Sequence, residues 1–191
     1  MPKLLILIMG GVRSGKSAFA QSLAAKLGER VTFIATAEAG DEEMRARIEQ
    51  HRQARPRHWQ TIEMPTEVAR AMQTARDSEA IVLDCLGLLV SNLLLQDEHA
   101  AAAEARVTRE VEALLSTYKE GTASLIIVTN EVGMGVVPAY ELGRVYRDLL
   151  GRANTMLARA ADKVYWMSAG LMMEIKASGL TKPWEEIDGT T

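Results

Sequence analysis

Apolar positions along the chain fall into two alternating kinds. Five short runs, at 4–9, 31–36, 81–83, 125–129 and 163–167, are nearly continuous in branched side chains, as strands covered on both faces are. Between them the apolar residues recur at spacings of three and four, which marks amphipathic helices. Residues 15–27 put Phe19, Leu23 and Leu27 on one face, and residues 67–76 put Val68 and Met72 there behind Thr66, an expected N-cap. Residues 98–119 carry Val107, Val111, Leu114 and Tyr118; residues 140–161 carry Leu142, Val145, Leu149, Ala153, Met156 and Ala160. Strands alternating with helices need crossovers, so the expected class is α/β, a mainly parallel sheet flanked by helices. No repeat or linker divides residues 1–177, which are expected to form one domain. Residues 178–191, with Gly179, Pro183 and Gly189, have no period and read as an irregular tail.

Composition narrows the chemistry. The chain has 191 residues, 48% of them hydrophobic, and 22 Lys+Arg against 25 Asp+Glu give a net charge of -3. Without a basic run to track a phosphodiester backbone, a nucleic-acid partner is not expected. Small anions remain open, because a few local donors suffice for them. The first apolar run spans six residues and leads into glycines with no cleavage site, so it reads as a strand and not as a signal peptide. No run reaches the roughly 18–20 apolar residues of a membrane span, and Cys85, the one cysteine, has no internal disulfide partner. A cytoplasmic protein is expected, with Cys85 a small buried hydrophobe.

Gly10-Gly11-Val12-Arg13-Ser14-Gly15-Lys16-Ser17 fits G-x-x-x-x-G-K-[ST] between an expected strand and an expected helix, the context that a phosphate-binding loop requires. Glycines there let successive backbone N–H groups turn toward phosphate oxygens, and the helix offers them its positive end. Lys16 would reach the β- and γ-phosphates and the Ser17 hydroxyl would ligate Mg2+. Asp84 ends the apolar run 81–83 and supplies the second acid of such a metal site. Asp84-Cys85-Leu86-Gly87 also reads D-x-x-G, but Asn130 is followed by Glu131, Val132 and Gly133, so the guanine-reading N-K-x-D of switch GTPases is absent.

Residues 41–53 read as a polar helix. Met44 and Ile48 share a face, and His51 lies only about 20° from Met44 around the axis. Arg47 and Arg55 flank it at four residues on either side, although Pro56 biases Arg55 out of the helix. An imidazole here could be a satisfied structural group or a nucleophile toward phosphorus with guanidinium groups beside it; spacing alone favours the structural role. His58 and His99 have weaker claims, and no His/Cys grouping has zinc-ligand spacing.

Taken together, the loop 10–17, Phe33-Ile34-Ala35-Thr36-Ala37, Asp41-Glu42-Glu43-Met44 with Arg47, Ile48 and His51, Arg55-Pro56-Arg57-His58-Trp59, and Val128-Thr129-Asn130-Glu131-Val132-Gly133-Met134-Gly135-Val136-Val137-Pro138 resemble the bifunctional adenosylcobinamide kinase/adenosylcobinamide-phosphate guanylyltransferase family of cobalamin synthesis. The likeness runs in order from about residue 4 to 176. It implies a RecA-like P-loop NTPase fold, a homotrimer, and two reactions. A nucleoside triphosphate, ATP or GTP, phosphorylates adenosylcobinamide. GTP then gives GMP, through an enzyme histidine, to adenosylcobinamide phosphate. The resemblance carries that histidine onto His51, and the nucleotide contacts onto Gly10, Gly11, Val12, Arg13, Ser14, Gly15, Lys16, Ser17, Ala35, Thr36, Ala37, Gln53, Ala54, Arg55, Pro56, Glu63 and Asp84. Some members hold Glu at the position of Asp84, which keeps the carboxylate and alters its reach.

Two other readings use the same loop. A plain small-molecule kinase would transfer the γ-phosphoryl group and form no covalent nucleotide. A nucleotide-dependent switch or assembly module would bind a protein partner and carry a base-reading motif, which the sequence lacks.

Overall fold

A computed structural model describes residues 2–53, 55–96 and 99–176. Ala54 and the tail 178–191 lie outside the described residues, as does the side chain of Arg47. In chain order the elements are β1 Leu5–Gly10, α1 Lys16–Leu27, β2 Val31–Ala35, α2 Glu42–Gln53, β3 Gln60–Glu63, α3 Val68–Thr74, β4 Ala80–Asp84, α4 Leu86–Leu94, α5 Ala100–Glu120, β5 Ser124–Val128, α6 Glu141–Ala160, β6 Lys163–Ser168 and β7 Leu171–Lys176. The strands form one sheet in the order β3-β2-β4-β5-β1-β6-β7. All pairs are parallel except β6 with β7, so the expected α/β architecture is present.

Each central strand sends alternate side chains to two cores, as its period of two dictates. Leu5, Leu7, Ile81, Leu83, Leu125 and Ile127 face the larger core under α3, α4, α5 and α6. Ile6, Ile8, Phe33, Val82, Ile126 and Val128 face the smaller one under α1. α1 docks through Lys16, Ala20 and Ala24, its buried row, while Phe19, Leu23 and Leu27 pack only partly buried along the side of that core. The expected apolar stripe is thus the flank of the contact, because small alanines let the helix axis come close to the sheet.

Three expectations need correction. The N-terminus of α3 is not capped by Thr66: Glu67, at φ 55°, is its N-cap residue and makes no side-chain cap, and the Val68 N–H is taken by the Glu110 carboxylate of α5 at 2.6 Å. The buried face of α6 is Leu149, Leu150, Ala153, Asn154 and Leu157; Leu142, near its start, is exposed. α4, β3 and β7 add to the expected elements. β7 folds back on β6 through Ala169 and Gly170, both at positive φ, the two-residue hairpin turn that matches strand twist.

Candidate active site

The C-terminal ends of β1, β2 and β4 bring the candidate residues to one edge of the sheet, where parallel α/β proteins bind ligands. The phosphate loop leaves β1 at Gly10, whose φ is 150° and whose missing side chain would lie 2.2 Å from the Met167 carbonyl oxygen. No other residue fits there. Gly15, at φ 96°, is the N-cap residue of α1; no side chain of the described residues caps that end, and its first turn carries no acid. The leading N–H groups of α1 therefore face the loop with no intrahelical acceptor, a binding end for an anion.

Neighbouring segments hold the loop from two sides. The Gly170 N–H in the β6–β7 turn donates to the Ser14 carbonyl at 3.1 Å, and the Glu131 N–H beyond β5 donates to the Gly10 carbonyl at 3.2 Å. Lys16 is buried; its ammonium group donates to the Gly11 carbonyl at 2.5 Å and lies 3.4 Å from the Ser14 hydroxyl. Val12 and Arg13 stand exposed at the tip.

Asp84 meets this loop from β4. The pKa of its carboxyl is raised above the ordinary range, first by burial; the Ser17 hydroxyl beside it pulls the other way, followed by the nearby charges of His51, Arg55 and Lys16. Ser17, Asp84, His51, Arg55 and Lys16 thus share one electrostatic neighbourhood. Among the described residues no cluster of three or more His, Cys, Asp or Glu could cage a metal ion. One carboxylate and one hydroxyl do suit Mg2+, which keeps waters and takes substrate phosphates as its remaining ligands.

His51 lies half-buried in the last turn of α2, on the face shared by Met44 and Ile48. Asp41 starts that helix by accepting the Met44 N–H at 2.7 Å. After α2, Arg55 lays its guanidinium 3.7 Å over the Phe33 ring, a cation–π contact. Burial lowers its pKa, Asp84 opposing, and its Nε is buried with no hydrogen-bond acceptor among the described residues. The Trp59 N–H closes the turn onto the Pro56 carbonyl at 3.1 Å, with Trp59 buried as its anchor. Gln53 is exposed, and Glu63 lies on the surface 4.0 Å from Arg52. His58 is exposed in this turn, and His99 is the N-cap residue of α5; neither joins the group around Asp84.

Ala35 and Thr36 are buried at the end of β2, with Ala37 half-buried. The Thr36 hydroxyl donates to the Cys85 carbonyl at 2.7 Å and accepts the Cys85 N–H at 2.9 Å. It secures the residue next to Asp84 and so acts within the protein. The Cys85 thiol, pushed up to about 11 by burial and then by the Asp84 charge, is an inert hydrophobe. Leu86 and Gly87 of D-x-x-G open α4 and are buried in it, so this segment is a rigid strand-to-helix step and not a switch loop.

Spacing missed several supports of the site: Phe33 under Arg55, Asn92, and the Thr129–Asn154 pair. Asn92 donates to the Thr36 carbonyl at 2.8 Å and the Pro65 carbonyl at 3.0 Å. The Thr129 hydroxyl donates to Asn154 Oδ1 at 2.7 Å, and Asn154 Nδ2 to the Asn130 carbonyl at 3.2 Å. The available signal for Asn154 was an amide between Leu150 and Leu157 on an otherwise apolar helix face.

Comparison with known proteins agrees with this geometry. Residues 6–175 match the family described as cobinamide kinase / cobinamide phosphate guanyltransferase. The bifunctional adenosylcobalamin biosynthesis protein CobP of Pseudomonas aeruginosa is 43% identical over 175 residues, covering 91% of this chain and 98% of that protein. The CobU proteins of Escherichia coli and Salmonella typhimurium, with the same description, are each 38% identical, covering 91% of this chain and 100% of theirs. With a phosphate loop, an acid from β4 and a histidine from α2 converging on one sheet edge, and with likeness along nearly its whole length, the chain belongs to the cobinamide kinase / cobinamide phosphate guanyltransferase family and is an enzyme of cobalamin biosynthesis.

Proposed function

We propose that both transfers run at this one site, with His51 as the covalent carrier of GMP. In the kinase step the terminal hydroxyl of adenosylcobinamide attacks the γ-phosphorus of ATP or GTP. An O–P bond forms, the β–γ bridge breaks, and the hydroxyl proton leaves to solvent or a phosphate oxygen. In the second step His51 attacks the α-phosphorus of GTP, an N–P bond forms and pyrophosphate departs. An oxygen of adenosylcobinamide phosphate then attacks that phosphorus, the N–P bond breaks, and adenosylcobinamide-GDP is released.

The observation that carries this reading is the placement of His51, in the last turn of α2, in the same neighbourhood as Asp84, Ser17, Lys16 and Arg55. A plain kinase needs no imidazole among these groups. Here the loop N–H groups and Lys16 hold the triphosphate, and Arg55, fixed over Phe33, offers a planar cation to phosphate oxygens. The contacts carried over to Gly10–Ser17, Ala35, Ala37, Gln53, Arg55, Pro56, Glu63 and Asp84 outline a nucleotide lying along this edge; Thr36, fully buried and paired within the protein, supports them from behind. Mg2+, when bound by Ser17 and Asp84, supplies charge neutralisation at the phosphates.

Further parts of the reading concern assembly and compartment. Association of copies is supported by β7, an edge strand with Leu171, Met172, Met173 and Ile175 exposed, since such an edge calls for a cover; the homotrimer is the form that the family resemblance implies. A cytoplasmic location fits the substrates, and no described helix is long and apolar enough to cross a membrane. The test is mass spectrometry of the corrinoid after incubation with adenosylcobinamide, Mg2+ and GTP. The reading expects gain of phosphate and then of GMP; an unmodified corrinoid would contradict it.

A further inference from the structure

The loop between β5 and α6 has a composition that nucleotide chemistry does not use. β5 lies between β1, which carries the phosphate loop, and β4, which carries Asp84; Val128 pairs with Ile8 on one side and with Asp84 on the other. The chain beyond β5 therefore emerges between the phosphate loop and the metal-side carboxylate, where the acceptor of a γ-phosphoryl group must approach.

This loop is held at both ends. At its start, Thr129 and Asn130 are tied to Asn154, Glu131 N–H to Gly10, and the Glu131 carboxylate accepts the Gly133 N–H. At its end, Arg144 Nη1 donates to the Pro138 and Ala139 carbonyls at 3.0 and 2.8 Å. Between these anchors residues 132–140 carry no charge, and Met134 is 81% and Val136 97% exposed, with Val132, Val137 and Tyr140 also at the surface. Fixed, uncharged and apolar surface of this kind marks a binding face.

We propose that this loop, through Val132, Met134, Val136 and Val137, is the seat of the corrin macrocycle. The inference rests on the function given above. A corrinoid presents a methyl-bearing, largely apolar ring with an uncharged amide periphery, and its hydroxyl-bearing arm must reach past the ring to the phosphates. Seating the ring on the loop directs that arm between Lys16 and Asp84. The same seat serves the second transfer, because the acceptor there is the same arm already phosphorylated. A second copy of the chain is the other candidate occupant; position over the acceptor side favours the substrate, and β7 already offers an edge for assembly.

The test is steady-state kinetics of the full-length enzyme carrying Met134→Ser with Val136→Ser, beside Leu95→Ser, an exposed residue at the end of α4 remote from Asp84. Loss of two apolar contacts should raise the KM for adenosylcobinamide by roughly tenfold or more. The KM for the triphosphate and the sedimentation behaviour should stay as in the wild type, and Leu95→Ser should change neither KM. An unmoved corrinoid KM overturns the inference. So does an equal rise in the triphosphate KM, which would assign the loop to the nucleotide, or a changed assembly state with unchanged KM, which would assign it to a second copy. Wild-type enzyme that leaves adenosylcobinamide unphosphorylated would instead overturn the underlying function.

Discussion

The Ser17 hydroxyl in the first turn of α1 stands beside the Asp84 carboxyl at the end of β4 and favours its ionised form. Burial outweighs the effect of this hydroxyl and of the surrounding cations, so the folded protein holds the Asp84 proton more tightly than the unfolded chain does. The stability that Asp84 contributes is therefore fully present below the ordinary carboxylate range and is lost as pH rises through the raised folded value. In EDTA and without nucleotide, Asp84→Asn should melt higher than wild type at pH 8, and the difference should shrink as pH falls toward about 4. The same variant should need roughly ten to a hundred times more Mg2+ for half-maximal activity. Thermal melts across pH and a metal titration check the two halves; a variant less stable at pH 8 than at pH 4 relative to wild type would reverse the assigned burial cost.

Thr36 is expected to act on stability. Thr36→Val keeps the shape but leaves the buried Cys85 N–H without the hydroxyl that accepts it, while the Cys85 carbonyl loses one donor and keeps the Leu89 N–H. Leaving such a group unpaired costs about 1–3 kcal/mol. Urea unfolding should show a lower midpoint with an unchanged slope, the signature of lost stability without a change of state.

For Lys16→Ala both transfers should fall by roughly a hundredfold or more, because either attack requires the triphosphate to be held and its charge offset. Separate assays of corrinoid phosphorylation and of guanylyl transfer check this. Loss of one with the other intact would mean that the two steps do not share the loop.

The legible parts of the sequence were those in which one local segment carries the whole signal. The strand, glycine loop and helix of residues 5–27 needed only their own order, and the alternating cores follow from the continuous apolar runs 5–9 of β1, 80–83 of β4 and 125–128 of β5. β3 was hidden because Gln60–Glu63 is short, polar and mostly exposed, and its strand state comes from pairing with β2. β7 was hidden because its apolar residues remain exposed, and its turn is Ala169-Gly170 in place of the usual Asn-Gly. The Thr66 cap failed because the donor of α3 is met by Glu110, from an element far along the chain. His51 shows the limit most plainly: spacing favoured a structural histidine, and only the family resemblance raised it. Its electrostatic reach to Asp84 depends on how α2 sits over the sheet edge, which no local pattern encodes.

Covalent capture of GMP by His51 is the central claim, and labelled GTP tests it directly. Protein incubated with Mg2+ and GTP should retain label from the α-phosphate and none from the γ-phosphate. The label should be stripped by brief acid treatment and survive alkali, as a phosphorus–nitrogen bond does and a serine phosphoester does not. His51→Ala should lose the adduct and guanylyl transfer while still phosphorylating the corrinoid hydroxyl, a step that needs the loop and no imidazole. Acid-labile α-label persisting in His51→Ala, or wild-type protein that takes up none, would contradict the account.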